Sequence, residues 1–367
     1  MRTGLGRSQR YPLFDVIRLV AALMVIFSHA FTTTGAHEPQ PLHFGRLGIT
    51  WGHIGVAIFF VTSGFLVTES WRRRPGAGGY LRKRLLRIWP AFLVVIGLCV
   101  FVMGPLVTDR SLHSYFTSPQ TWGYLLHNAV MSPIVFLLPG VFRHQPLSGV
   151  NGSLWTLPFE VLAYVALLGL ALSRLLRAWV LALLLAIGLV FYDHSVAHRA
   201  WPLDVHVDGL WLYDLVRLEV WFAAGALLAL LKDRVIGRHA LAAVALVVAV
   251  VGVGTHEAMV AIPALALLVI YLGTLPCRPA EVLHRLGDPS YGMYLSGFVL
   301  QQLVVWAGLT RLNPWLSFAE GAVLATLFGF ASWHLIEKRA MRLATPRRKD
   351  PPAGPVDEPR ELVGATR

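Results

Sequence analysis

Residues 13–33 read LFDVIRLVAALMVIFSHAFTT. The run is apolar over most of its length, and about 20 such residues cross the hydrocarbon core of a bilayer. It also carries Asp15, Arg18 and His29. The core of a signal peptide is short and uncharged, and Asp15 and Arg18 would interrupt it. The segment, with Arg2, Arg7 and Arg10 before it, therefore reads as a retained first helix. Nine more runs of this kind follow, at 51–70, 88–107, 153–173, 177–192, 213–231, 239–254, 257–274, 290–308 and 316–336. The expectation is an all-α polytopic membrane bundle of about ten transmembrane helices, since a lipid-exposed chain must satisfy its backbone within helices or a closed barrel.

Composition supports this. Of the 367 residues 56% are apolar and 14% charged, against roughly a quarter charged in soluble domains. The domain expected is 1–343, followed by a disordered cytoplasmic tail at 344–367 that mixes Pro, Arg, Asp and Glu. The net charge of +12 does not make a nucleic-acid surface, because the basic residues lie between apolar runs. Cys99 falls in an apolar run and Cys277 in a basic loop, a pattern of structural cysteines rather than a disulfide or zinc framework.

Lys and Arg counting orients the bundle. With the N-terminus inside, the inner segments carry Arg72, Arg73, Arg74, Arg82, Lys83, Arg84, Arg87, Arg174, Arg177, Lys232, Arg234, Arg238, Arg278, Arg285 and a basic tail. The outer loops carry only Arg46, Arg110, Arg143, Arg199 and Arg311. Both termini are expected in the cytoplasm. The outer segments 34–50, 108–152 and 193–212 are long, and long loops tend to be functional.

Ionisable residues inside apolar runs are costly and tend to be functional. Arg18 and His29 lie eleven steps apart, nearly three turns, so they share a helix face roughly 16 Å apart along the axis. Asp15 could pair with Arg18 at i,i+3. The segment NGSLWTLPFE, residues 151–160, enters the membrane from outside and brings Glu160 to about the depth of His29. A carboxylate beside an imidazole suits general-base removal of a hydroxyl proton. Pro158 would leave a backbone carbonyl unpaired inside the membrane. At the inner end of the third run, Arg84 and Arg87 lie one turn apart, with Arg82 and Lys83 beside them. Paired arginines fork onto phosphate. The plainer readings are a snorkelling Arg18, a packing His29 and Glu160, and positive-inside decoration at Arg82–Arg87. No metal site is expected: His194, His198, Asp204, His206 and Asp208 cluster in sequence, but loop histidines of this kind are usually exposed.

Taken together the motifs resemble the membrane-bound acyltransferase family 3, whose members O-acylate exopolysaccharide, lipopolysaccharide, Nod factors and macrolides. The resemblance runs from Phe14 to Glu337. It rests on FDVIR at 14–18 followed by His29, FFVTSGFL at 59–66, and Arg84 and Arg87 before Trp89-Pro90. It also rests on GSLWTLPFE at 152–160, SYGMYL at 290–295 and Ile336-Glu337-Lys338. It implies that Arg18 and His29 are essential and that Arg84 and Arg87 help bind the donor; with the reading of the residues, the candidate catalytic set is His29, Glu160, Arg18 and Asp15, and the candidate donor contacts are Arg82, Lys83, Arg84, Arg87, Ser63, Trp155 and Tyr291. It implies no permanently bound cofactor, with cytoplasmic acyl-CoA, usually acetyl-CoA, as donor substrate. The implied acceptor is a carbohydrate: exopolysaccharide, lipopolysaccharide or a lipid-linked intermediate. The implied setting is the lipid of the bacterial inner membrane. Many members carry a His soon after the Tyr-Leu of the ninth helix; here the run continues Ser296-Gly297-Phe298 and then Gln301-Gln302. Some members also carry a fused extracytoplasmic domain, which these residues lack. The rival reading is a secondary transporter or flippase of a polar metabolite or glycan, which also needs intramembrane charges.

Overall fold

Each of the ten apolar runs is occupied by a helix. The structure is a computed structural model, and it describes residues 11–45, 47–198, 206–207, 210–310 and 312–344. Helix α1 is Leu13–Thr34, stopped by Gly35 at φ 72°, whose N–H donates to Phe31 and Thr32 carbonyls. A left-handed stop of this kind favours glycine. A short antiparallel hairpin, β1 (Leu42–Phe44) and β2 (Leu47–Ile49), fills part of the expected outer loop. Helix α2, Trp51–Arg73, is capped by Thr50.

Helix α3, Ala77–Leu98, begins eleven residues before the expected span at 88. Arg, Lys and Leu are good helix formers, so the basic segment 82–87 continues the helix after the apolar stretch has ended. A π-helical turn, Cys99–Met103, joins it to α4, Gly104–Val107. The expected outer loop 108–152 contains two more helices, α5 (Leu112–Thr117) and α6 (Pro119–Val130). A 3-10 turn, Gly152–Thr156, leads into α7, Leu157–Leu172. Pro158 sits in the first turn of α7, where its missing N–H is not needed. The unpaired carbonyl expected from the sequence therefore does not arise.

Helix α8 is Ala178–His198, and the ribbon β3 (His206–Val207) and β4 (Leu210–Trp211) precedes α9, Leu212–Leu230. Then come α10 (Lys232–Val235), α11 (His239–Gly254) and α12 (Ala258–Thr274). After these come α13 (Arg278–Leu286), α14 (Ser290–Trp306) and α15 (Pro314–Ser332). A π-helical turn, Trp333–Glu337, continues α15 into α16, Lys338–Leu343.

Among the described residues six helices are long and apolar enough to cross a membrane by themselves. The pair α12 and α13, bent by 84°, would make a seventh. Of the other runs, α11 and α14 are shorter, at 16 and 17 residues, and α9 carries Asp214, Arg217 and Glu219. Outward faces are apolar: Ile187, Val247 and Leu327 are more than half exposed. Such faces suit lipid rather than water. The chain is a multi-pass membrane protein. The tail at 345–367 lies outside the described residues.

Close helix contacts hold the centre. Gly64 of α2 lies against the Phe222 carbonyl of α9, and Gly225 of α9 lies against the Val61 carbonyl of α2. Neither position has room for a Cβ. Small residues allow this approach in a membrane, where packing replaces the hydrophobic drive.

Candidate active site

Five helices, α1, α2, α3, α7 and α14, converge on a cavity of about 90 Å3. Its walls include Arg18, Ser63, Arg84, Arg87, Thr156, Glu160, Tyr164, Tyr291 and Tyr294. Three arginines and one carboxylate thus meet in a chamber otherwise walled by aromatic, aliphatic and hydroxyl side chains. Five residues singled out for donor contacts or catalysis, Arg18, Ser63, Arg84, Arg87 and Glu160, are brought together here, as is Tyr291.

The arginines are held by acids. Arg18 Nη1 lies 2.7 Å from Asp288 Oδ2, and Arg87 Nη2 reaches the same oxygen at 2.7 Å. Arg87 Nη1 lies 2.9 Å from Glu337 Oε2, and Ser332 Oγ donates to Glu337 Oε1 at 2.8 Å. The other Asp288 oxygen accepts from the Ser290 N–H at 3.1 Å and the Ser290 hydroxyl at 2.5 Å. Side chains in this network are 1–17% exposed. Burial alone would raise the Asp288 carboxyl. The guanidiniums of Arg18 and Arg87 and the Ser290 bonds outweigh it and hold the group well below the usual carboxylate range. Asp15, expected to pair with Arg18, instead meets His284 Nδ1 at 2.5 Å. Asp288 offers Arg18 a buried partner, whereas Asp15 faces the half-exposed His284 of α13.

Arg84 differs from Arg87. Its guanidinium lies 5.6 Å over the Tyr164 ring, and its Nε is buried with no hydrogen-bond partner. Arg82 is exposed and Lys83 half-buried, and neither lines the cavity. Only two of the four basic residues of this cluster therefore face the chamber. Glu160, in the first turn of α7, accepts from the Tyr164 hydroxyl and from Ser63 Oγ at 3.3 Å. Tyr291 donates to the Ile88 carbonyl at 2.9 Å, tying α14 to α3.

His29 sits outside the lining of this cavity. Its ring is edge-on to Phe298 at 4.9 Å, and its Nδ1 is buried without a partner. Among the described residues no hydrogen bond joins it to Glu160, whose partners are Tyr164 and Ser63. The segment leading to Glu160 docks on α14 instead. Asn151 donates to the Leu295 carbonyl at 2.9 Å, Tyr294 donates to the Ser153 carbonyl at 2.9 Å, and Thr156 bonds the Tyr294 hydroxyl. Farther along α14, Gln301 donates to the Ile26 carbonyl at 2.9 Å, one turn from His29. Trp155 does not join the arginine cavity; it walls a second one, under the Arg217 guanidinium at 5.3 Å.

Asp288 and Tyr164 were given no role by the sequence, and Tyr294 and Glu337 only places in motifs. Asp288 lies 270 residues from Arg18 and 201 from Arg87, so no local spacing pointed to it. Of the loop cluster near 194–208, Asp204 and Asp208 and the side chains of His198 and His206 lie outside the described residues.

A family model described as an acyltransferase domain matches residues 11–334. The chain belongs to this acyltransferase family, the membrane-bound family 3 that its motifs resemble. Two relatives cover almost the whole chain. The O-acetyl transferase of Shigella phage Sf6 is 28% identical, over 91% of this chain and 97% of that protein. Nodulation protein 10 of Rhizobium leguminosarum bv. viciae is 31% identical, over 90% of this chain and 94% of that protein. A regulator of hypoxia-inducible factor 1 from Caenorhabditis elegans is 23% identical over 43% of this chain and 34% of that protein. No solved structure matches the acyltransferase chain.

Proposed function

We propose that this acyltransferase moves an acyl group, acetyl by default, from cytoplasmic acyl-CoA to a hydroxyl of an extracytoplasmic carbohydrate. The setting would be a bacterial inner membrane crossed by about ten helices, with both termini in the cytoplasm. The observation that carries this reading is the cavity in which Arg18, Arg84 and Arg87 converge beside Glu160. The name of one long relative, an O-acetyl transferase, supports acetyl transfer to oxygen.

The three arginines divide the work. Arg87 and Arg18 are committed to Asp288 and Glu337, which match their charge, so they fix the shape of the chamber. Arg84, with an unpartnered Nε, is the one able to take a phosphate of the donor. Ser63 and Tyr291 line the route of the pantetheine arm. His29, with a free Nδ1, takes the proton of the acceptor hydroxyl. The oxygen then attacks the thioester carbonyl, the new C–O bond forms, the C–S bond breaks, and the thiolate leaves with the proton from His29. Glu160, bonded to Tyr164 and Ser63, shapes the wall of the chamber near Arg84 rather than the imidazole. Membranes containing the protein, given radiolabelled acetyl-CoA and a surface oligosaccharide, should yield label in the carbohydrate as a base-labile ester. Label found in protein or lipid alone, with none in the carbohydrate, would overturn the choice of acceptor.

A further inference from the structure

His29 lies near the end of α1 that the topology places outside, about 9 Å along the axis before Gly35, the residue that stops the helix. Its ring stands against Phe298 of α14 at 4.9 Å. The chain segment 146–152 passes over the outer side of this pair. At one end Pro146 packs on Gly35, where a Cβ would stand 3.1 Å from the Pro146 Cβ. At the other end Gly152 packs on the Phe298 ring so closely that a Cβ would meet it at 2.6 Å. The segment therefore runs from the end of α1 to α14, across the helix pair that holds the imidazole.

One side chain fastens its middle. Among the described residues, 146–149 make no backbone–backbone hydrogen bond. Gln302, one turn beyond Phe298 on α14, donates its amide to the Leu147 carbonyl at 2.7 Å and to the Gly149 carbonyl at 2.6 Å. The flanks are tied to backbone instead: the Gln145 N–H donates to the Phe142 carbonyl at 3.2 Å and the Val150 N–H to the Phe136 carbonyl at 2.7 Å. Residues 146–149 thus form a strap with fixed ends and a single latch. A segment with so few bonds of its own opens at lower cost than the helices beneath it.

Three buried polar atoms beside the strap lack a partner: His29 Nδ1, Ser153 Oγ and Gln302 Oε1. They surround one ring, since His29 and Gly152 touch Phe298, Ser153 follows Gly152, and Gln302 is one turn farther along α14. Buried polar atoms of native proteins nearly always have partners. An imidazole nitrogen and an amide oxygen accept from hydroxyls, and a serine hydroxyl both donates and accepts. We infer that the strap 146–149 is the gate through which a polyhydroxylated acceptor reaches His29, and that Gln302 is its latch. As the strap lifts, hydroxyls of the acceptor take the partners that Gln302, Ser153 and His29 lack. The identity of the acceptor rests on the acyltransferase reading; the gate is testable without turnover.

The test pins the strap in the full chain in detergent. With Cys277→Ser to remove the accessible native thiol, Gly35→Cys and Pro146→Cys put two sulfurs at the contact, where the Cβ atoms need part only slightly to reach the roughly 3.5–4.5 Å of a disulfide. Two readouts are followed: modification of His29 by diethyl pyrocarbonate, read from the mass of its peptide, and transfer of radiolabelled acetyl to a surface oligosaccharide. Oxidation should slow both about tenfold or more, dithiothreitol should restore both, and acetyl-CoA binding should be the same in the two states. A protein with the disulfide confirmed by mass whose His29 is modified as fast as in the reduced form overturns the proposal. Gln302→Leu removes the latch and decides the matter even where the cysteine pair does not fold. It should speed the modification of His29 about tenfold at an unchanged unfolding midpoint, and an unchanged rate overturns the proposal as well. Protection of His29 by the disulfide without any acetyl-CoA turnover would leave the gate standing and remove the acyltransferase reading. Transfer to the oligosaccharide that the disulfide does not slow would do the reverse.

Discussion

Asp288 holds two guanidiniums on one carboxylate oxygen, while its other oxygen takes the hydroxyl and N–H of Ser290. Removing one partner of a buried ionic group leaves the others uncompensated, at a cost of about 3–5 kcal/mol. Asp288→Ala is therefore expected to lower the thermal unfolding midpoint and to weaken donor binding together. Arg84→Ala should behave differently, because Arg84 joins no ion pair among the described residues. It should raise the KM for acetyl-CoA about tenfold, corresponding to about 1.4 kcal/mol, and leave the unfolding midpoint near that of the wild type. Equal loss of stability in the two variants would contradict this division. The pH dependence follows from the sign of the shift. The folded carboxyl of Asp288 is held below its unfolded value of about 3.9, so its contribution is complete above that value. It is lost only as pH falls through the lower folded value. The stability difference between wild type and Asp288→Asn, followed by denaturation, should thus be the same at pH 7 and pH 5.

The elements were legible where composition alone decides them. Apolar runs of about 20 residues mark membrane helices, and scarce charges inside them stand out. Arg18 and Glu160 could be singled out for that reason, and Arg84 and Arg87 as a pair one turn apart at the inner end of the third run; all four share one cavity. Asp288 could not, because it lies in the short turn between α13 and α14, where a carboxylate beside Pro289 reads as an ordinary turn residue. Helices α5 and α6 were also hidden, being short and half polar. At the crossing of α2 and α9, Gly64 falls within the FFVTSGFL motif, but that Gly225 is its close-packed partner does not follow from sequence. Substituting Gly225 with Leu would drive a side chain into the Val61 carbonyl. Overpacking of this kind costs about 1–3 kcal/mol. Gly225→Leu should reduce the yield of folded protein in detergent, and Gly169→Leu, at a position with no neighbour within 4 Å, should not.

For the whole molecule, the proposed topology places the basic turns in the cytoplasm and the β1–β2 hairpin with α5 and α6 outside. The two native cysteines test this without engineering, since Cys99 is buried and Cys277 partly accessible. A membrane-impermeant maleimide should label Cys277 in inside-out vesicles and not in right-side-out ones. The reverse pattern would invert the bundle and place the arginine cavity away from cytoplasmic acyl-CoA.

The central claim is transfer from acyl-CoA through His29, a residue whose buried Nδ1 no protein group occupies. The most direct measurement compares purified wild type with His29→Ala, each given radiolabelled acetyl-CoA, for release of free coenzyme A or labelling of an acceptor. The account predicts turnover in the wild type and none in a folded His29→Ala protein that still binds the donor. Turnover in that variant at the wild-type rate would contradict it.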